Sequence, residues 1–217
     1  MKPLFVINFK NYAEISGRKS VELARVAEYI SERIDVNIVV APPQASLALV
    51  AGSVKIPVFA QHLDVSDLGS TTGFMVPEIA ISCGVKGSII NHSEHRIPLE
   101  GIEHLVKKLR MLKMTSVVCA RTPAEVKKLG SLNPDYLAIE PPELIGSGIA
   151  VSKAKPRVIT RSVRAVDTKV ICGAGIIDAA DVSAAMKLGS KGILVASGIV
   201  KASDWRGKIR ELADAMT

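Results

Sequence analysis

The sequence predicts a closed α/β barrel of eight parallel strands, a (β/α)8 barrel, occupying residues 1–217 as one domain. Three observations predict it. Short apolar runs alternate with helical patterns along the whole chain, eight times over. The runs are rich in Val and Ile with little polar alternation, as strands covered on both faces are. No linker, low-complexity tract or shift in composition divides the 217 residues, and a barrel of this kind needs roughly 200.

The predicted strands are Leu4–Ile7, Val36–Ala41, Ile56–Ala60, Gly87–Ile90, Thr115–Cys119, Tyr136–Ile139, Lys169–Cys172 and Gly192–Val195. Between them, Ser20–Arg33 carries Val21, Ala24, Ala27 and Ile30 at helical spacing. Pro98–Met111 sets Ile102, Leu105, Val106 and Leu109 on one stripe behind a proline suited to a helix start. Pro123–Leu129, Val163–Val166, Asp178–Leu188 and Asp204–Met216 also read as helical, and Gly189 fits a C-cap. The rival architecture, an open doubly wound sheet, would favour a glycine-rich turn after the first strand. That strand ends in Asn8-Phe9-Lys10-Asn11, and the late Gly173-Ala174-Gly175 has Asp178 in the third-glycine position.

Composition narrows the function classes. Hydrophobic residues make up 48% and aromatics 4%, so the core is mostly aliphatic. The net charge of +7 comes from Lys and Arg spread over several helices without interleaved aromatic platforms, which argues against nucleic-acid binding. A positive field also draws in an anionic substrate. Cys83, Cys119 and Cys172 form no C-x-x-C pair; each lies in or beside an apolar run, where a buried, reduced thiol is expected. No signal peptide or membrane span is read, and a cytoplasmic protein is expected.

Catalytic groups of such barrels sit at the C-terminal ends of strands. The first strand offers Asn8 and Lys10, on one side by alternation, with Phe9 on the other. The fourth offers Asn91-His92-Ser93-Glu94, the sixth Glu140, the seventh Gly173-Ala174-Gly175, the eighth Ala196-Ser197-Gly198. A lysine, a histidine, a carboxylate and two small-residue turns therefore converge on one mouth. His92 precedes a candidate short helix, Ser93–Arg96, whose N-terminus would keep the ring neutral. A metal held by His92 and His95 is the competing reading, but a third ligand at metal-site spacing is lacking.

These segments resemble triosephosphate isomerase over essentially the whole chain. Asn8-Phe9-Lys10 is similar to that family's N-x-K, Asn91-His92-Ser93-Glu94 to its G-H-S-E, and Ala138-Ile139-Glu140-Pro141 with Ile145-Gly146-Ser147-Gly148 to its catalytic glutamate and sixth loop. Leu194-Val195-Ala196-Ser197 resembles its last phosphate turn, and Gln61 with Thr72-Gly73 its third loop. Asn91 stands where the family has glycine, Ala196-Ser197 replaces a double glycine, Gly175 replaces a frequent serine, and Pro-Pro-Glu-Leu replaces Pro-Val-Trp, a set resembling the shorter archaeal branch.

The resemblance implies a TIM barrel that interconverts dihydroxyacetone phosphate and D-glyceraldehyde 3-phosphate through an enediolate, in glycolysis and gluconeogenesis, with no cofactor and no metal. It implies Glu140 as general base, His92 as neutral electrophile and Lys10 as the cation on phosphate and enediolate. Asn8, Phe9, Lys10, Ile145, Gly146, Gly175, Ala196 and Ser197 would bind substrate, and Pro141–Ala150 would form a lid. It further implies at least a homodimer through the Gly69–Gly73 loop, with a tetramer as the alternative. Two other readings stand beside it: another phosphate-binding barrel isomerase or lyase, and a catalytically idle barrel.

Overall fold

The computed structural model describes residues 2–144 and 150–217. In chain order the elements are β1 (Leu4–Asn8), α1 (Lys19–Ser31), β2 (Asn37–Ala41), α2 (Leu47–Ala51), β3 (Phe59–Ala60), α3 (Pro77–Ser82), β4 (Gly87–Ile90) and α4 (Leu99–Met111). They continue with β5 (Thr115–Ala120), α5 (Pro123–Gly130), β6 (Tyr136–Ile139), α6 (Val151–Ala154), α7 (Pro156–Arg164), β7 (Lys169–Cys172), α8 (Ala179–Lys187), β8 (Gly192–Val195), α9 (Ser197–Val200) and α10 (Trp205–Asp214). The strands form one parallel sheet in the order β2-β1-β8-β7-β6-β5-β4-β3. A single bridge between Val40 and Val58, with Val40 N–H donating to Pro57 O at 3.2 Å, brings β3 back to β2 and closes the barrel.

Two apolar layers hold it. Leu4, Val6, Val39, Phe59, Ile89, Val117, Ala138, Ile171 and Leu194 fill the barrel interior, drawn from every strand. Alternate residues, such as Phe5, Ile7, Ile38, Ile90, Leu137 and Val170, face the helices. The strands are thus buried on both sides, which is why they read as continuous apolar runs. Close packing explains particular glycines. A Cβ on Gly192 would lie 2.0 Å from Leu4 O, so β8 could not approach β1 with any side chain there.

Differences from the sequence reading have local causes. The third strand is shorter than Ile56–Ala60 because Pro57 has no N–H to give the ladder. The helix expected at Val163–Val166 instead runs Pro156–Arg164, opened by its proline. The helices α2, α3, α6 and α9 are too short to display a helical period. Gly189, at φ +97°, follows the α8 C-cap as expected. Cys83 is exposed rather than buried: it closes α3 on a surface turn with Gly84 at φ +90°. Among the described residues no helix is long and apolar enough to cross a membrane.

Candidate active site

The inward series on β1, Leu4 and Val6, continues at the barrel mouth through Asn8 and Lys10. Lys10 adopts φ +48°, a region costly for a residue with a side chain. Its N–H donates to Asn8 Oδ1 at 3.0 Å and its carbonyl accepts from Gln61 Nε2 at 3.0 Å, so both sides of the strained residue are fastened. Its side chain is 14% exposed, and the ammonium sits 2.6 Å from Glu94 Oε1.

Strict alternation after Ile89 would turn His92 toward the helices. Asn91 at φ +62° redirects the chain and brings His92 to the mouth, which gives a physical reason for a residue tolerant of the left-handed region here. Asn91 is anchored by Nδ2 donating to Cys119 O at 3.0 Å and by Oδ1 accepting from Ile97 N–H at 3.3 Å. The helix expected at Ser93–Arg96 is a single turn, closed by His95 N–H on His92 O at 2.8 Å. Asn91 intercepts the Ile97 amide and Pro98 forces extended backbone before it, so the turn does not propagate. Within the turn, Glu94 N–H donates to His92 Nδ1 at 3.2 Å. With Nδ1 accepting, the proton of the neutral ring resides on Nε2.

That Nε2 lies 3.6 Å from Glu140 Oε2. Glu140 extends the inward series of β6, is 3% exposed, and is fixed by its N–H donating to Ala120 O at 2.8 Å. Its Oε2 has no hydrogen-bond partner among the described residues. Space for the carboxylate comes from Gly173, where a Cβ would stand 2.5 Å from Glu140 Oε1. Beside it the Cys119 thiol is pushed well up, by burial first and then by the charge of Glu140, and stays protonated.

The facing rim is backbone. Ala174 and Gly175 are consecutive left-handed residues at φ +69° and +72°. Ala196 and Ser197 open α9, and Gly198 lets the two loops meet, since a Cβ there would lie 2.9 Å from Ile176 O. Lys10, Glu140, Gly175, Ala196 and Ser197 line one cavity of about 230 Å³, smaller than the roughly 300–1,000 Å³ of drug-sized sites. A second recess of about 630 Å³ adjoins it at Lys10 and is lined by Tyr12, Gln44, His62, His92 and His95. There the rings of His62 and His95 stack at 3.9 Å, and Asp64 Oδ1 lies 3.3 Å from His62 Nε2. Among the described residues no three His, Cys, Asp or Glu side chains converge as metal ligands.

Lys10, His92 and Glu140 are therefore brought together, with Asn8, Gly175, Ala196 and Ser197 around them. The Phe9 side chain is fully buried in the layer facing the helices, and its N–H is used by Ala41 O. Ile145 and Gly146, and with them half of the expected lid, lie outside the described residues. Asn91 and Gly173 carry positioning roles that sequence reasoning did not assign, although a non-glycine in place of a family glycine and an uninterrupted small-residue run were their signals.

What such a mouth can do is limited by its groups. A carboxylate with a free lone pair takes a proton from carbon, and an Nε2–H facing it polarises the neighbouring carbonyl. Groups of this kind suit the movement of a proton from one carbon to the next within one molecule, the chemistry of an intramolecular isomerase. Comparison with known proteins specifies which. Residues 3–214 match the family model described as "Triosephosphate isomerase". The "Triosephosphate isomerase" of Cenarchaeum symbiosum (strain A) is 49% identical, over 99% of this chain and 98% of its own. That of Methanocaldococcus jannaschii is 47% identical over 96% and 98%, and that of Methanothermus fervidus 45% over 99% and 99%. The chain belongs to the triosephosphate isomerase family, and it interconverts dihydroxyacetone phosphate and D-glyceraldehyde 3-phosphate, a step of glycolysis and gluconeogenesis.

Proposed function

We propose that Glu140, His92 and Lys10 are the catalytic residues of this isomerisation. The observation that carries the proposal is Glu140 Oε2, without a hydrogen-bond partner among the described residues, facing His92 Nε2 at 3.6 Å on the mouth that Lys10 also lines. Glu140 takes the proton from the substrate carbon beside the carbonyl. His92, neutral and protonated on Nε2, donates to the carbonyl oxygen as the enediolate forms, the pairing long established for this family. Glu140 then returns the proton to the adjacent carbon. Lys10 neutralises the charge on phosphate and enediolate oxygen, and Asn8 holds the Lys10 backbone. The phosphate is received by backbone N–H groups at Gly175, Ala196 and Ser197, with Gly146 and Ile145 from the lid, and lid closure excludes water as is established for the family. Residues 1–217 act as one catalytic domain.

Isomerase turnover of the purified protein tests the assignment. Shortening the base in Glu140→Asp is expected to cost about 10²-fold in kcat, as a misplacement near 1 Å does. His92→Gln is expected to lower kcat with little change in KM. Turnover of Glu140→Asp within about threefold of wild type contradicts the base assignment.

We also infer a homodimer built through the Gly69–Gly73 loop. Val65, Leu68 and Phe74 around that loop are exposed apolar side chains, which support the reading. Light scattering is expected to give the mass of two chains; four chains would mark the tetramer, and one chain would overturn the inference. Three free thiols support a reducing, cytoplasmic setting.

A further inference from the structure

Beyond the catalytic mouth, one buried carboxylate joins two segments of different function. Asp181, in the first turn of α8, has a side chain 3% exposed. Its Oδ2 accepts from the backbone N–H of Ile177 at 3.0 Å and of Asp178 at 3.3 Å. Its Oδ1 lies 2.6 Å from Lys153 Nζ, and its carbonyl accepts from Ser152 Oγ at 3.1 Å. Ser152 and Lys153 belong to α6, directly after Ala150, the end of the expected lid. Val151 N–H completes the joint by donating to Ala174 O at 3.4 Å. On the other side, Ile177 ends the Ala174–Ile177 stretch that lines the catalytic cavity.

Helix capping accounts for only part of this. Asp178 and Asp181 form a reciprocal capping box, which satisfies the amides that open α8. It does not call for a lysine from another helix, nor for burying a second carboxylate next to a site for an anion. The loop has a reason to need holding, because Ala174 and Gly175 both occupy left-handed conformations that Ala174 does not favour.

We propose that the Lys153–Asp181 pair positions the Ala174–Ile177 backbone for phosphate recognition and couples that loop to the C-terminal root of the lid. The proposal rests on reading Gly175, Ala196 and Ser197 as the phosphate site. Lys153 and Asp181 do not touch substrate; they are positioning residues. Burial works against the charge of Asp181, but Lys153 and the Ile177 and Asp178 amides outweigh it and hold the carboxyl below the usual carboxylate range. The Lys153 ammonium is raised in return, chiefly by Asp181. The pair is therefore ionised at neutral pH. Without the lysine, Asp181 keeps only the Ile177 and Asp178 amides against its burial, and its charge stands behind the loop that must receive another anion.

Lys153→Met and Lys153→Arg in the full chain test this. Lys153 is 54% exposed, so neither change opens the core. The probes are inorganic phosphate, by calorimetry without turnover, and glyceraldehyde 3-phosphate, by steady-state kinetics. Coupled sites usually influence one another by about 5- to 150-fold, and a half-exposed lysine belongs at the low end. Lys153→Met is expected to weaken phosphate binding and raise KM by about tenfold each, with kcat within about threefold. Lys153→Arg is expected to restore both. Phosphate affinity within about twofold of wild type in Lys153→Met, whatever happens to its melting temperature, overturns the proposal and leaves the pair a structural strut. Gly175→Leu separates the two levels. Weakened phosphate binding there with unchanged binding in Lys153→Met removes the positioning role alone. Unchanged binding in Gly175→Leu removes the phosphate site and the positioning role together.

Discussion

Replacing Gly173 by alanine tests whether the placement of Glu140 is set by an empty space across the barrel mouth. The added methyl would sit 2.5 Å from Glu140 Oε1, 2.6 Å from its Cγ and 2.9 Å from its Cδ. Carbon contacts relax near 3.5 Å, so carboxylate and methyl must separate by about 1 Å. Gly173 is not in the left-handed region, so alanine meets no backbone penalty there, and the whole effect falls on the neighbour. Glu140 is the movable partner, since its Oε2 has no hydrogen bond among the described residues while its backbone is held on Ala120. A 1 Å misplacement of a reacting group costs about 10²-fold, or about 2.7 kcal/mol of transition-state stabilisation. Steady-state isomerase kinetics on Gly173→Ala, with circular dichroism to show that it is folded, give the answer. A folded variant whose kcat/KM lies within about threefold of wild type refutes the steric argument.

Three further outcomes are expected. The His62 imidazole is held below the ordinary histidine value of about 6.5, by burial first and then by His95, against the pull of Asp64. The unfolded chain therefore binds that proton more readily, so stability is complete above about pH 6.5 and is lost as pH falls toward the folded value; melting curves of His62→Gln should show a flatter decline there, and an unchanged slope contradicts this. A thiol reagent should modify one cysteine per native chain, exposed Cys83, and three after denaturation, because Cys119 and Cys172 are buried and burial raises both thiols; mass spectrometry locating native label on Cys172 would be the contrary result. Asn91→Gly should be more stable than Asn91→Ala by about 1 kcal/mol in denaturant titrations, since both lose the side-chain anchors but only alanine strains φ +62°; the reverse order would show that the left-handed conformation is not what Asn91 supplies.

The strands and the inward alternation of β1 and β6 were legible because burial on both faces leaves an unmistakable aliphatic pattern and because the candidate site side chains continue it: Asn8 and Lys10 follow Val6, and Glu140 follows Ala138. β4 obeys no such rule. His92 reaches the mouth only because Asn91 breaks the alternation, and a single left-handed residue leaves no periodic trace in sequence. The Ser93–Arg96 turn looks helical locally but is cut short by an asparagine side chain and a following proline. Gly173 and Lys153 escaped for a different reason: their importance lies in what faces them from β6 and α8, and neighbours across a barrel are not written in adjacent letters. Cys83 shows the converse error, an apolar neighbourhood in sequence that becomes a surface turn in space.

The joint between β2 and β3 has a lasting consequence for the lysine. With only the Val40–Val58 bridge in the ladder, the seam is stitched higher up by a side chain, the Gln61 amide, which reaches Ala41 O and Lys10 O at 3.0 Å each. One amide thus reinforces the closure and tethers the ammonium-bearing residue at once. Were the wall to unzip along this line, Lys10 would lose its tether while Glu140, on the far wall, kept its own on Ala120.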